Sequence, residues 1–209
     1  MGMWIGRNRK ARVTYGFDEI ALVPGEVTIN PEEVDTTFRI PTKNGDPLTL
    51  KIPIMASAMD GVTDVAFCET MGKLGGLGVI NLEGVQTRYE NPREVLRQVV
   101  EADKESVTSL IQKLYTEPIK EELISRRVEE LKAAGVLAAV SSIPQKAERY
   151  GALAQEAGAD IFVVQSTVST VRHISSQYKS LELEKFCDTM KIPTLFPYTT
   201  LFRSRKSVV

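Results

Sequence analysis

From Pro53 onward the chain repeats one pattern: a short apolar run, then a stretch in which apolar residues recur every three or four positions among charged ones. That alternation predicts βα units wound around a parallel sheet, an α/β architecture. The first unit runs from Ile54-Met55-Ala56-Ser57 into a helix with Val65, Cys68, Met71 and Leu74 on one face, stopped by Gly75-Gly76. Leu77-Gly78-Val79-Ile80 is the second strand. Its longer connection holds a helix from about Asn91 and another with Ile119, Leu123, Val128 and Leu131 on one face, closing at Gly135. Residues 136–140 form the third strand, and the helix after it carries Ala147, Tyr150, Leu153 and Ala157 before Gly158. The fourth strand, Ile161-Phe162-Val163-Val164, is a continuous apolar run, as fits a strand buried on both faces. A helix with Leu183, Phe186, Cys187 and Met190 follows, and Lys191-Ile192-Pro193 leads toward a fifth strand. Upstream, residues 38–40 and 48–52 flank a turn at Asn44-Gly45 and read as a β-hairpin.

Past Pro193 the pattern stops. Residues 194–204 match the translation of a common short-read sequencing adapter, so 194–209 is set apart as a non-native tail with no strand in it.

Composition narrows the partners. Lys and Arg total 26 against 27 Asp and Glu, a net charge of −1, which gives no field to draw nucleic acid or an anionic membrane. No apolar run approaches the roughly 20 residues that span a bilayer, and no signal-peptide core is visible. The two cysteines lack metal-site or disulfide spacing. A cytoplasmic protein that meets neither nucleic acid nor membrane is expected. Arg7, Arg9, Lys10 and Arg12 form one basic cluster, read as a solvated arm in preference to a phosphate or subunit contact.

In a β/α barrel the residues directly after each strand build the site. After the first strand stand Ser57-Ala58-Met59-Asp60: small residues admit a ligand, the Ser hydroxyl can bond phosphate or ribose, and Met59 offers a polarizable surface to a flat base. Asp60 could equally cap the next helix.

The run from Ile54 to Asp64 (Ile-Met-Ala-Ser-Ala-Met-Asp-Gly-Val-Thr-Asp), followed by Leu74-Gly-Gly-Leu-Gly-Val-Ile80, resembles the first two barrel units of IMP dehydrogenase and its relative GMP reductase. Tyr15-Gly-Phe-Asp-Glu-Ile-Ala-Leu-Val-Pro24 and Val34-Asp35-Thr36 resemble the family's N-terminal signature, and Asn81-Leu82-Glu83-Gly84 with Thr87-Arg88-Tyr89-Glu90 marks a bacterial IMP dehydrogenase-related subgroup. The resemblance covers residues 1–193. It implies the N-terminal half of a (β/α)8 TIM barrel, with residues 1–52 as an extended arm and hairpin and 53–193 as strands one to four and the start of five.

By that resemblance Ser57 and Met59 contact IMP or a related purine nucleotide. Gln165, Ser166 and Thr167 stand where the family presents Asp-Ser-Ser to the dinucleotide NAD, and Gln carries no charge. A monovalent cation, K+, and a homo-oligomeric parent are further implications of the family. Asn81 and Glu83 either face the mouth of the site or lie in a solvated loop. Gly75, Gly76 and Gly78 read as packing glycines rather than a phosphate loop. His173 reads as a surface helix residue, and Cys68 and Cys187 as packing residues. The family's catalytic Cys, after strand six, and its water-activating flap fall beyond Pro193, so no catalytic residue and no turnover are expected of this chain. The gap 81–135 is also too short for the family's regulatory insertion, which would need on the order of 100 extra residues.

The leading expectation is the dehydrogenase, IMP plus NAD to XMP plus NADH. GMP reductase is the alternative enzyme, and Gln165 favours a third reading, a nucleotide-binding paralogue without turnover. A half barrel would also leave an inner face open, so Val140, Ile161 and Val163 are expected to meet water.

Overall fold

The structure is a computed structural model that describes residues 4, 7, 15, 17–166 and 180–196. It divides into two compact units, residues 1–35 and 36–209. In the first, 3-10 turns at Phe17–Glu19 and Pro31–Glu33 punctuate extended chain with exposed Leu22, Val23 and Val27. Of the basic cluster only Arg7 is among the described residues.

The second unit holds a hairpin and a parallel sheet. Strands β1 (Phe38–Ile40) and β2 (Leu48–Leu50) pair antiparallel with Phe38 opposite Leu50. Five strands then follow in sequence order, all parallel: β3 (Met55–Ala56), β4 (Leu77–Asn81), β5 (Ala139–Ser142), β6 (Ile161–Val164) and β7 (Thr194–Leu195). The helices are α1 (Val65–Lys73), α2 (Pro92–Glu101), α3 (Val107–Leu114), α4 (Glu121–Ala133), α5 (Pro144–Glu156) and α6 (Leu183–Thr189). Gly135 and Gly158, at φ +73° and +90°, end α4 and α5 where the sequence places the stops.

Alternation along each strand divides the apolar residues between two cores. Ile80, Val140, Phe162 and Val164 face the helices and pack on Ile124, Val128, Leu131, Ala154 and Phe186, with Phe162 edge-on to Phe186 at 5.9 Å. Leu77, Val79, Ala139, Ile161 and Val163 face the other way, where Ile40 and Leu50 of the hairpin cover them. Among the described residues no helix is long and apolar enough to cross a membrane.

Four expectations change. Val140, Ile161 and Val163 do not meet water: they are 0%, 0% and 3% exposed, because helices seal the outer face and the hairpin plugs the inner one. The hairpin therefore belongs with the sheet rather than with the N-terminal arm. Thr194 and Leu195, set apart with the tail, form the fifth strand, with Thr194 opposite Phe162 and Leu195 opposite Val163. Strand pairing is made by the backbone, and this β-branched and apolar dipeptide meets its demands; residues 197–209 lie outside those described. The third strand starts at Ala139, three residues later than its apolar run, and so carries Ser141 and Ser142 to its C-terminal end. Helix α3 is an addition, an amphipathic helix of about two turns whose apolar residues Leu110 and Leu114 pack against α2 through Val95 and Val99.

Candidate functional site

The C-terminal ends of β3 to β6 form a rim. After β3, the residues from Ser57 to Asp64 fold into a tight block: Met59 N–H bonds the Ser57 carbonyl at 2.9 Å, Thr63 N–H the Met59 carbonyl at 2.8 Å, and the Thr63 hydroxyl the Ser57 carbonyl at 2.6 Å. Ala58 turns into the inner core while Ser57 and Met59 stay exposed, Met59 by 51%. That leaves both residues accessible to a ligand.

Across the sheet, register sets Asn81 beside Ser141 and Ser142 beside Val164. Gln165 N–H bonds the Ser142 carbonyl at 2.9 Å, and the Ser141 hydroxyl donates to Gln165 Oε1 at 3.3 Å. The structure thus joins Gln165 to a serine that the sequence did not single out. Ser166 is half-buried and has a partner of its own. Thr167 and His173 lie outside the described residues. Ser57 and Met59 are not brought onto Gln165: β3 and β6 are three strand positions apart, at most about 14 Å along the sheet.

The rim carboxylates have other work. Asp60 does not cap α1; Asp64 does, accepting from Phe67 N–H at 2.8 Å. Asp60 Oδ2 instead accepts from Val85 N–H at 2.8 Å and from the Tyr115 hydroxyl. Gly84 makes that approach feasible, since a Cβ there would sit 1.8 Å from Asp60 Oδ1. Burial first, and then the hydrogen bond to Asp60, push the Tyr115 hydroxyl well above the usual phenol range, so it stays a donor. Glu83 lies in no solvated loop: its Oε1 accepts from Ser142 Oγ at 3.0 Å and Ile143 N–H at 2.7 Å, and Lys146 stands 3.4 Å from Oε2. From the turn after β4 it thereby satisfies the N–H of Ile143, the N-cap residue of α5, while no side chain caps the N–H groups inside the first turn. Asn81 Oδ1 takes up the Glu83 N–H at 3.0 Å.

Gly76 and Gly78 are packing positions, as expected: Cβ atoms there would meet the Ile54 carbonyl at 2.9 Å and Cys68 Sγ at 2.6 Å. Burial, with the charge of Asp64, pushes the Cys68 thiol up to about 12, and burial also raises Cys187. A thiol held neutral on the helix side of the sheet is no nucleophile.

A family model described as "IMP dehydrogenase / GMP reductase domain" matches residues 14–190. The chain belongs to that family. Over 196 residues it is 33% identical to a protein of Mycolicibacterium smegmatis described as an uncharacterized oxidoreductase, covering 91% of this chain and 51% of the relative. An inosine-5'-monophosphate dehydrogenase of Streptococcus pyogenes is 40% identical over 84 residues, 40% of this chain and 16% of that one. In structure, the chain resembles an IMP dehydrogenase/GMP reductase-like protein from Corynebacterium glutamicum, at a TM-score of 0.77 and 31% identity, covering 93% of this chain and 51% of that one. The chain spans about half the length of the curated relatives it matches. The likeness to that solved chain fits the α/β sheet of the N-terminal half of a TIM barrel.

Sequence reasoning passed over Ser141, Ser142 and Tyr115. The serine pair could have been found from Pro144, which marks the first turn of a helix and so puts the strand end just before it. Nothing local in the sequence marks Tyr115, whose partner lies 55 residues away.

Proposed function

We propose that this chain carries the substrate-nucleotide portion of a cytoplasmic, homo-oligomeric IMP dehydrogenase-type oxidoreductase, in which IMP and NAD give XMP and NADH. The observation that carries the reading is the rim: Ser57 and Met59 stand exposed on a hydrogen-bonded block at the C-terminal end of β3, beside a shelf of neutral hydrogen-bonding groups, Asn81, Ser141 and Gln165. Ser57 would hold a ribose or phosphate oxygen of IMP, and Met59 would lie against the purine face.

NAD, when bound, supplies the hydride acceptor. The Gln165 amide suits ribose hydroxyls chemically, as a neutral group that both donates and accepts, and its Ser141 bond fixes the amide plane. Gln165 and Ser166, with Thr167, are the residues that would hold the cofactor. Among the described residues no three His, Cys, Asp or Glu side chains converge, and the K+ ion that the resemblance implies is assigned to no residue.

Neither Cys68 nor Cys187 is set up to attack a purine carbon, so turnover is not expected of the 209-residue chain alone. The reading predicts IMP binding by calorimetry with no NADH absorbance on adding NAD. Failure of IMP to bind would overturn it; so would NADH production by this chain, which would require a nucleophile among these residues. A second reading, a nucleotide-binding paralogue without turnover, is favoured by the uncharged Gln165. Gln165→Asp in a complete barrel separates the two, since a restored charge-assisted bond should lower the Michaelis constant for NAD.

A further inference from the structure

The connection between β4 and α4 makes an excursion, α2 and α3, with its own small core of Val85, Val95 and Leu114. It is tied to the body at its base: Lys120 N–H bonds the Thr87 carbonyl at 2.9 Å, the Tyr89 hydroxyl bonds the Leu114 carbonyl at 2.9 Å, and Arg88 bonds the carbonyls of Glu83 and Glu117. From this excursion two side chains reach the block that carries Ser57 and Met59. Tyr115, at the end of α3, donates to Asp60, the residue directly after Met59. Arg93, in the first turn of α2, pairs with Asp64 at 2.9 Å, at the far end of the same block. The Arg93 pair is exposed and weak in water. The Tyr115 bond is the better-held tether: Tyr115 is itself exposed, but its acceptor Asp60 is half-buried and fixed by the Val85 N–H at 2.8 Å, and the Arg88 guanidinium lies 5.5 Å over the ring.

Internal hydrogen bonds link Ser57, Met59, Val62 and Thr63 into one turn with Asp60 inside it, so a tether on Asp60 restrains the backbone that carries the exposed Ser57 and Met59. We propose that Tyr115, acting through Asp60, is a positioning residue for the nucleotide-contacting loop, so that the α2–α3 excursion sets how tightly that loop holds a purine nucleotide. The ligand half of this statement rests on the function proposed above; the mechanical half does not.

The experiment compares the full 209-residue chain with Tyr115→Phe, which keeps the ring and its packing and removes only the hydroxyl. Two quantities are read: amide exchange of Met59, Val62 and Thr63, whose N–H groups hold the block together, and IMP affinity by calorimetry. The expected result is exchange about tenfold faster at those three amides and IMP binding about tenfold weaker, the size of one lost bond to a charged acceptor. Amides of β5 and β6 should quicken no more than the lowered urea midpoint accounts for. Asp60→Asn, which keeps an acceptor for Tyr115, should retain most of the affinity; if Tyr115→Phe does not fold, Asp60→Ala, which removes that acceptor, is read in its place and should speed exchange and weaken IMP binding at least as much. Unchanged exchange at the three amides overturns the proposal, whatever happens to affinity. Faster exchange with unchanged IMP affinity overturns it too. If the unsubstituted chain does not bind IMP, the nucleotide reading falls, and the exchange rates by themselves decide whether Tyr115 controls the loop.

Discussion

Leu50→Ala tests the finding that a hairpin, not a second half of the sheet, buries the inner face. Leu50 is 5% exposed and packs in one cluster with Ile40, Leu77, Val79, Ile161 and Val163. Truncating a buried leucine costs about 2–5 kcal/mol, and the cost is larger where the surroundings cannot collapse into the cavity. Four of those neighbours sit on β4 and β6, strands paired on both sides, so collapse is restricted. A loss of about 3 kcal/mol is therefore expected, a large share of the ~5–15 kcal/mol that stabilises a native domain. The measurement is equilibrium urea unfolding followed by circular dichroism, with an unchanged slope as the sign that both end states are intact. Thr49→Ala is the control: Thr49 is exposed on the outward side of the same strand, and its loss should stay within about 0.5 kcal/mol. If Leu50→Ala costs under about 1 kcal/mol, or no more than Thr49→Ala, the hairpin does not plug the sheet and the inner face is buried in some other way.

Three further outcomes follow from single contacts. Gly84→Ala would drive a methyl into the Asp60 carboxylate and should cost about 1–3 kcal/mol, read as a lowered urea midpoint, whereas Gly61→Ala, with nothing within 4 Å, should be close to neutral; equal effects would mean the Asp60 contact is soft. Arg127, 4% exposed, donates to the carbonyls of Gln86, Tyr89 and Glu90 and pairs with Glu130, so Arg127→Ala should destabilise by about 3 kcal/mol or more; a cost under about 1 kcal/mol would show that water replaces it. Cys68 keeps its proton to about pH 12 when folded, while an ordinary thiol ionises near 9.0, so its contribution is intact below pH 9.0 and is lost as pH rises from there toward 12. Cys68→Ala should therefore flatten the fall of the urea midpoint across that window, and parallel curves for the two proteins would refute the assignment.

Much of the fold was legible because local rules and tertiary needs agree. The strand runs at residues 77–80 and 161–164, the glycine stops at 135 and 158, and the Asn-Gly hairpin follow from periodicity and turn chemistry, which act over a few residues. The motif around Ser57 and Met59 located one side of the rim for the same reason: it is contiguous in the chain. What the chain order could not show is pairing between distant segments. Residues 136–140 are apolar throughout, yet the strand begins at Ala139, because its start is set by the neighbouring strands β4 and β6 rather than by its own hydrophobicity. Asp60 read equally well as a helix cap, and only the arrival of Tyr115 and the Val85 amide from far along the chain decides its role. Glu83 likewise closes on Ser142 and Ile143 once two parallel strands lie side by side. Composition and period determined which faces are apolar; the closing of long loops determined which polar groups meet, since a carboxylate takes whichever donors the fold brings within about 3 Å.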